Sequence, residues 1–175
     1  MKNRPNIVAI TGAESTGKST LSEALSKHYG VPFQREYARN YIRDLHRKYT
    51  YQDIEIIAQK QLEQYNQLVN RSAALVILDT WLLITKVWFE VVFQRAPGWI
   101  EQAIEENKID LFLVCDIDLP WMADDVRENG GENRVWLQKR YIEEIEKHNF
   151  AYRIVNGTGA NRTRNAISFI KELRE

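Results

Sequence analysis

The feature that most constrains this chain is an eight-residue motif near its amino terminus, GAESTGKS at residues 12–19. It follows an apolar run at residues 7–10 and leads into a segment in which Leu21, Ala24 and Leu25 have helical spacing. A G-x-x-x-x-G-K-S loop between a strand and a helix is typical of phosphate-binding loops. The chain is therefore expected to be an α/β protein that binds a nucleoside triphosphate.

Each residue type in the motif has a physical reason to be there. Gly12 and Gly17 permit backbone angles that turn successive N–H groups toward phosphate oxygens. Lys18 is expected to reach the β- and γ-phosphates, and the Ser19 hydroxyl is expected to ligate Mg²⁺. The predicted contacts to the nucleotide phosphates are Gly12, Ala13, Glu14, Ser15, Thr16, Gly17, Lys18, Ser19 and Thr20.

Composition and charge argue against several other classes of protein. The 175 residues, 44% hydrophobic and 27% charged, are typical of one globular domain, predicted to span residues 1–175. The 24 basic and 24 acidic residues balance, which argues against a nucleic-acid or membrane-surface partner, and no apolar stretch approaches the ~20 residues that cross a bilayer. Cys115 is the only cysteine and no signal peptide is evident, so a cytoplasmic location is expected. A homo-oligomer is compatible with the sequence, which leaves the oligomeric state open.

Predicted strands and helices alternate along the chain. Apolar runs predict strands near residues 7–10, 31–35, 75–78, 111–115 and 150–155. Apolar spacing predicts helices near residues 18–29, 36–47, 53–69 (with Asp53 as N-cap), 82–95, 97–108, 134–148 and 162–173. This alternation predicts a P-loop NTPase fold: a five-stranded parallel sheet with helices on both faces. The polar, glycine-containing segment 122–133 is expected to be a mobile loop.

Polar residues follow the predicted strands at the edge where ligands bind in such sheets. Glu36 follows the second strand, Asp79 ends the third, Asp116 and Asp118 follow the fourth, and residues 156–159 follow the fifth. Since ligands sit beyond the carboxyl ends of parallel strands, these side chains are expected to converge on the phosphate loop.

A second motif raises the alternative of a GTPase. Residues 107–110, Asn-Lys-Ile-Asp, match the guanine-reading pattern N-K-x-D. The match precedes a predicted strand rather than following one, and no D-x-x-G follows the third strand. A kinase that passes a phosphoryl group to a small acceptor accounts for more of the sequence and predicts a nucleoside/nucleotide-kinase-like fold with a lid.

Two carboxylates are candidates for the chemistry of such a kinase. Glu36 lies where a base would take the proton of the acceptor hydroxyl, although a carboxylate that favours the first turn of a helix is the alternative. Asp79 lies where a carboxylate holds Mg²⁺ or a substrate hydroxyl, although a buried structural aspartate is the alternative.

Arginines near the polar loop are candidates for charge stabilisation. Arg127 and Arg134 flank residues 128–133 and are expected to close onto the phosphates as part of a lid, with Arg39 a weaker candidate. Solvated surface arginines are the alternative for each of them.

The turn after the fifth strand is a candidate for the nucleotide base. Asn156, Gly157 and Thr158 are predicted to lie against the ring, with Arg162 near its face. The sequence does not decide between ATP and GTP as the donor.

Several motifs in this order resemble one known family. They are Glu14-Ser15 in the loop, E-Y-A-R at residues 36–39, Asp79-Thr80, L-P-W at residues 119–121, and the following Asp124-Asp125 and Arg127. Over nearly the whole chain the sequence resembles the ribosylnicotinamide kinase domain of the NadR-type NAD-biosynthesis proteins. The resemblance implies phosphorylation of nicotinamide riboside on its 5′-hydroxyl, with ATP and Mg²⁺ as cofactors and nicotinamide mononucleotide as product.

The resemblance has two departures. Trp81 stands where the family tends to carry a further acid after Asp-Thr, and Val126 stands where it tends to carry glycine before the lid arginine. At 175 residues the sequence is also expected to lack the adenylyltransferase and DNA-binding domains of the bifunctional members.

The predicted acceptor is a small nucleoside-like molecule with a cationic ring, for which aromatic faces are good partners. The predicted substrate contacts are Glu36, Tyr37, Arg39, Asp79, Trp81, Trp121 and Asp124. Another nucleoside or nucleoside-monophosphate kinase, or an ATP-binding regulatory module that hydrolyses ATP slowly, is the alternative. The apolar helix over residues 82–93 is interpreted as core, with a lid or a partner surface left open.

Overall fold

The fold is that of a computed structural model, which describes residues 4–71 and 73–174. Its strands are β1 (Asn6–Thr11), β2 (Phe33–Gln34), β3 (Leu75–Asp79), β4 (Leu111–Cys115) and β5 (Tyr152–Val155). Its helices are α1 (Lys18–Tyr29), α2 (Tyr37–Asp44), α3 (Tyr51–Val69), α4 (Leu82–Phe93), α5 (Gly98–Glu106), α6 (Gly131–Lys147) and α7 (Gly159–Arg174). None of the described helices combines the length and the apolar character that crossing a membrane requires.

The strands form one parallel sheet in the order β2-β3-β1-β4-β5. β1 lies between β3 and β4, with Ile7 paired to Val76 and Val8 paired to Leu111. The predicted five-stranded parallel sheet is therefore confirmed. Because β1 is central, the loop that follows it lies at the middle of the carboxyl edge.

Helices cover both faces of the sheet, as predicted. Ile7 and Ala9 pack with residues of α3, α4 and α5, whereas Val8 and Ile10 pack with residues of α1 and α7. Successive side chains of a strand point to opposite faces, so an uninterrupted apolar strand supplies two cores at once.

Several predicted boundaries move by a few residues. α6 begins at Gly131 rather than at residue 134, and α7 begins at Gly159 rather than at residue 162. Both glycines have positive φ, 58° and 50°, so the chain enters each helix through a conformation that glycine adopts without strain. The composition of the first residues of α6 and α7 is typical of a loop, so it did not predict that they are helical.

The N-cap of α3 differs from the one predicted. Thr50, not Asp53, is the N-cap, and Asp53 is the third helical residue of a capping box. The Asp53 carboxylate accepts hydrogen bonds from the Thr50 N–H at 2.7 Å, from Arg47 Nη1 at 2.6 Å and from the Tyr41 hydroxyl at 3.0 Å. The hydrogen bond from Arg47 holds the pKa of Asp53 well below its usual range, assisted by the bonds from Thr50 and Tyr41.

We expect Asp53→Asn to lower the free energy of unfolding by about 1–3 kcal/mol, because an amide cannot accept all of these bonds. A carboxylate whose pKa is lower in the folded than in the unfolded state stabilises the protein at pH values above its unfolded-state pKa. This stabilisation is lost as the pH falls toward the folded-state pKa. The gap between wild type and variant in urea unfolding should therefore shrink below about pH 4. Asp44→Asn, at an exposed site, is the control; a gap that does not change with pH would contradict the assignment.

The N-K-x-D match lies at the wrong edge of the sheet for a nucleotide base. The Asp110 carboxylate accepts hydrogen bonds from the Ile7 N–H at 2.9 Å and from Arg4 Nη1 at 2.9 Å. Ile7 is at the start of β1, whereas the phosphate loop follows its end. Asp110 therefore joins the amino ends of β1 and β4, away from the edge at which a guanine base would bind.

Candidate functional site

The phosphate loop turns sharply between β1 and α1. Gly12 has a φ of 136°, and a Cβ there would lie 2.8 Å from the Cys115 carbonyl oxygen. Gly17 has a φ of 77° and immediately precedes α1. Both glycines of the motif are thus required by backbone geometry, and the N-terminus of α1 faces the loop, where it favours an anion.

A cavity opens beside this loop and brings many of the predicted residues together. The predicted site residues that line it are Gly12, Glu14, Ser15, Thr16, Gly17, Lys18, Ser19, Thr20, Glu36, Arg39 and Arg127. The cavity continues away from the loop into a lobe with mainly apolar walls. We call this the apolar lobe; it is lined by Ile42, Tyr49, Ile84, Trp88, Val91, Val92, Val126, Leu137 and Tyr141.

Lys18 is within reach of the loop backbone. Its Nζ donates a hydrogen bond to the Ala13 carbonyl at 2.9 Å, and its side chain lines the cavity. Ala13 itself is buried, and its N–H donates to Gln138 Oε1 at 2.8 Å. The Ala13 N–H, predicted to contact a phosphate, thus donates to a side chain in this structure.

Asp79 and Glu36 form the acidic side of the site. Burial raises the pKa of Asp79 to about 6; the Ser19 hydroxyl and the Lys18 ammonium oppose this rise, and the nearby Glu36 carboxylate adds to it. Among the residues that the structure describes, no group hydrogen-bonds to the buried Asp79 Oδ1. A carboxylate oxygen without a partner beside a serine hydroxyl fits the oxygen donors that Mg²⁺ prefers.

Two arginines meet one carboxylate at the rim of the cavity. Asp124 pairs with Arg39 and, at 3.3 Å, with Arg127 Nε. Its Oδ1 also accepts the N–H groups of Val126 and Arg127 at 3.0 Å each. Asp124, predicted to contact the substrate, instead holds both arginines in place and is absent from the lining of the cavity.

Arg134 has a different role from the one predicted. Its side chain donates to the carbonyl oxygens of Glu14, Leu119 and Ser15 at 2.8–2.9 Å, and the residue is 7% exposed. Burial lowers its pKa. With its donors on backbone carbonyls, Arg134 braces the phosphate loop and does not line the cavity, whereas the sequence predicted a contact with the phosphates.

The three aromatic residues predicted to contact the acceptor pack against other parts of the protein in this structure. Trp81 is 0% exposed and packs on Tyr65 with ring centroids 4.6 Å apart. Trp121 packs on Gly130, and Tyr37 packs on Tyr41 at 5.8 Å. None of the three predicted aromatics lines the cavity, because each lies against protein at the positions that the strand ends and the lid impose.

Three aromatic residues that the sequence did not single out line the apolar lobe instead: Tyr49, Trp88 and Tyr141. Ile84, Trp88 and Val91 have the i, i+4, i+7 spacing of one helical face and turn it to the cavity. The signal available in the sequence was that α4 is apolar on more than one side. Packing on the sheet accounts for one apolar face of α4, and it does not account for the second apolar face.

The turn after β5 is tied to the phosphate loop from outside the cavity. Arg162, 4% exposed, donates to the Gly157 carbonyl at 2.7 Å and to the Thr16 carbonyl at 2.9 Å, and it pairs with Asp118. The Gly157 N–H donates to Asp118 Oδ2 at 2.6 Å. The predicted base contacts at Asn156, Gly157 and Thr158 thus lie beside the loop but do not line the cavity.

A cluster of two carboxylates and one imidazole lies between α4, α5 and α6. Glu101, Glu144 and His148 offer ligand atoms within 4.8 Å of one another. Lys86 Nζ already lies among them, 2.5 Å from Glu144 and 3.4 Å from Glu101, and Lys147 Nζ is 2.7 Å from Glu101. Two ammonium groups therefore balance this cluster, which holds helices together.

Comparisons with known proteins agree with this architecture. The chain is 27% identical over 150 residues to the trifunctional NAD biosynthesis/regulator protein NadR of Escherichia coli (strain K12); this covers 83% of the chain and 37% of NadR. It superposes on a crystal structure of NadR in complex with NR with a TM-score of 0.86 at 22% identity, over 98% of this chain and 52% of that one. It superposes on deoxyadenosine kinase from M. mycoides with a TM-score of 0.67 at 18% identity, over 95% and 99% of the two chains.

The chain thus spans 37% of the curated relative and about half of the NadR chain in the crystal structure. The similarity to NadR-type proteins that the motifs indicated is confirmed, as is the P-loop nucleoside/nucleotide-kinase-like fold. A family model described as an AAA domain, AAA_28, matches residues 7–162. Because this match runs from β1 into α7, the chain belongs to the AAA_28 family of AAA domains.

Proposed function

We propose that this chain is an ATP- and Mg²⁺-dependent kinase that phosphorylates the 5′-hydroxyl of nicotinamide riboside and releases nicotinamide mononucleotide. The observation that carries the proposal is that one and the same cavity joins the phosphate loop to the apolar lobe past Glu36. The similarity to NadR, one structure of which holds NR, the abbreviation of nicotinamide riboside, supports the choice of acceptor.

At the donor end, the loop amides and Lys18 would hold the triphosphate. Ser19 and Asp79 would hold Mg²⁺, and the partnerless Asp79 oxygen supports this assignment. Bound there, the ion would neutralise charge on the phosphates. Arg39 and Arg127, which line the rim, would stabilise charge on the transferred group.

At the acceptor end, Glu36 is the proposed base. The 5′-hydroxyl oxygen would attack the γ-phosphorus, the bond from that phosphorus to the bridging oxygen would break, and ADP would leave. Glu36 would take the proton of the hydroxyl, since it lines the cavity, whereas Asp79 is 1% exposed. This geometry favours Asp79 for the metal and Glu36 for the proton.

The apolar lobe would hold the base of the acceptor. Trp88 and Tyr49 pack edge to face with ring centroids 5.0 Å apart, and both line the lobe. A cationic pyridinium ring gains from aromatic faces, and the apolar surroundings exclude the water that would screen this attraction.

An acceptor panel tests the function. The protein would be incubated with ATP, Mg²⁺ and each of nicotinamide riboside, deoxyadenosine, thymidine monophosphate and no acceptor, with ADP release and product mass recorded. We expect ADP release that depends on nicotinamide riboside and a mass gain of one phosphate. Transfer to another acceptor alone would make the chain a different nucleoside or nucleotide kinase, and release without any acceptor would make it an ATPase.

Trp88→Ala is expected to raise the KM for nicotinamide riboside by about 10-fold or more, because a cation–aromatic contact in an apolar site and its buried area are lost. The KM for ATP should stay within about twofold. Steady-state kinetics with each substrate varied in turn makes the measurement.

Trp136→Ala is the matched control, since it removes the same side chain from an exposed position of α6 outside the cavity. An equal loss of riboside affinity in both variants would contradict the assignment of the lobe.

A further inference from the structure

One carboxylate of the phosphate loop holds the segment that follows β4. We call residues 116–130 the lid. Glu14 Oε2 accepts the Asn129 N–H at 2.9 Å, and Glu14 Oε1 accepts Asn129 Nδ2 at 3.1 Å and the Glu128 N–H at 3.3 Å. Both oxygens of Glu14 are therefore used by lid donors rather than directed at the triphosphate, which they would repel.

Ser15 makes a second attachment at the other side of the lid. Its hydroxyl donates to the Pro120 carbonyl at 3.2 Å and accepts the Met122 N–H at 3.0 Å. Two adjacent residues of the phosphate loop thus hold two separate points of the lid. The position of the lid is set by the loop that would hold the donor.

From the lid, hydrogen bonds continue into the apolar lobe. Glu128 Oε2 accepts the Tyr49 hydroxyl at 3.1 Å, and the Tyr49 oxygen accepts Trp88 Nε1 at 3.2 Å. Burial raises the pKa of Tyr49, so its hydroxyl keeps the proton that it donates to Glu128. At each step of this path, from the Trp88 indole to the Glu14 carboxylate, a donor faces an acceptor.

We propose that Glu14 is a positioning residue that latches the lid, so that Glu128 holds Tyr49 and Trp88 in the orientation that binds the acceptor base. The latch itself follows from contacts of this chain, and only the identity of the acceptor rests on the proposed function. Glu14 lies in the loop that would hold the donor, yet a change that breaks its hydrogen bonds to the lid would impair acceptor binding more than donor binding.

Glu14→Gln tests the latch, because the variant keeps the shape of the side chain and replaces one accepting oxygen with a donor. Glu132→Gln, on an exposed first turn of α6, removes the same charge outside the latch and is the matched control. Hydrogen exchange of the intact protein without ligands is the first readout. We expect the amides of residues 121–130 to exchange about tenfold faster in Glu14→Gln, with the strands unchanged.

Kinetics are the second readout. In Glu14→Gln the KM for nicotinamide riboside should rise about tenfold, while the KM for ATP should change by less than about twofold. Tyr49→Phe removes the hydroxyl at the far end of the path and should produce the same pattern. In the double variant the two effects should not multiply, because either change already breaks the path.

Unchanged exchange in residues 121–130 of Glu14→Gln would overturn the latch whatever the activity. Faster exchange with an unchanged riboside KM in an active enzyme would overturn the positioning role. If no acceptor is turned over by wild type, yet both Glu14→Gln and Tyr49→Phe speed exchange of the lid, then the latch stands and the proposed function fails.

Discussion

Replacing Lys18 with alanine is expected to lower acceptor-dependent turnover about a thousandfold, because one fixed cation on a transferring phosphoryl group is worth a factor of this size. Lys18 Nζ already reaches across the loop to the Ala13 carbonyl at 2.9 Å, so its ammonium is held at the place where the phosphates would bind. The rate of ADP release with saturating acceptor and ATP measures the effect.

Lys27→Ala is the control for Lys18, because it removes the same group from an exposed position in the last turn of the same helix. It should keep the wild-type rate. Circular dichroism and urea unfolding of both variants separate a lost contact from a lost fold. A Lys18→Ala protein that remains folded and active would contradict a phosphate-binding role for this loop.

Glu36→Gln is expected to lower kcat by about 10²- to 10³-fold, the range typical of a lost general base. The KM for ATP should be little affected, because the glutamine has the same shape and Glu36 lies on the acceptor side of the loop. Single-turnover measurements of phosphoryl transfer isolate the chemical step.

Glu105→Gln, on the exposed side of α5, is the control for Glu36. Asp79→Asn provides the comparison within the site: if Asp79 holds the metal, that variant should raise the Mg²⁺ concentration needed for half-maximal rate, and Glu36→Gln should not. Full turnover in Glu36→Gln would assign the proton transfer elsewhere.

The sequence by itself determined the architecture of this protein. Uninterrupted apolar runs at residues 75–78 and 111–115 predicted two strands, and both strands are buried and lie beside β1 in the sheet. The glycine spacing predicted the phosphate loop because Gly12 and Gly17 need backbone angles that other residues rarely adopt. These features follow from local chemistry and from periodicity, which a sequence displays directly.

The tertiary structure alone decided which side chains face the cavity. Trp81 follows a strand end, where ligands bind, yet it packs into the core on Tyr65, whereas Trp88 reaches the lobe from a helix that resembled plain core. The sequence predicted Arg134 to be a cation of the lid, but its side chain donates hydrogen bonds to backbone carbonyls of the loop and of Leu119. The direction of a side chain and the partners of a buried cation depend on how distant segments pack, and spacing along one segment carries no record of that packing.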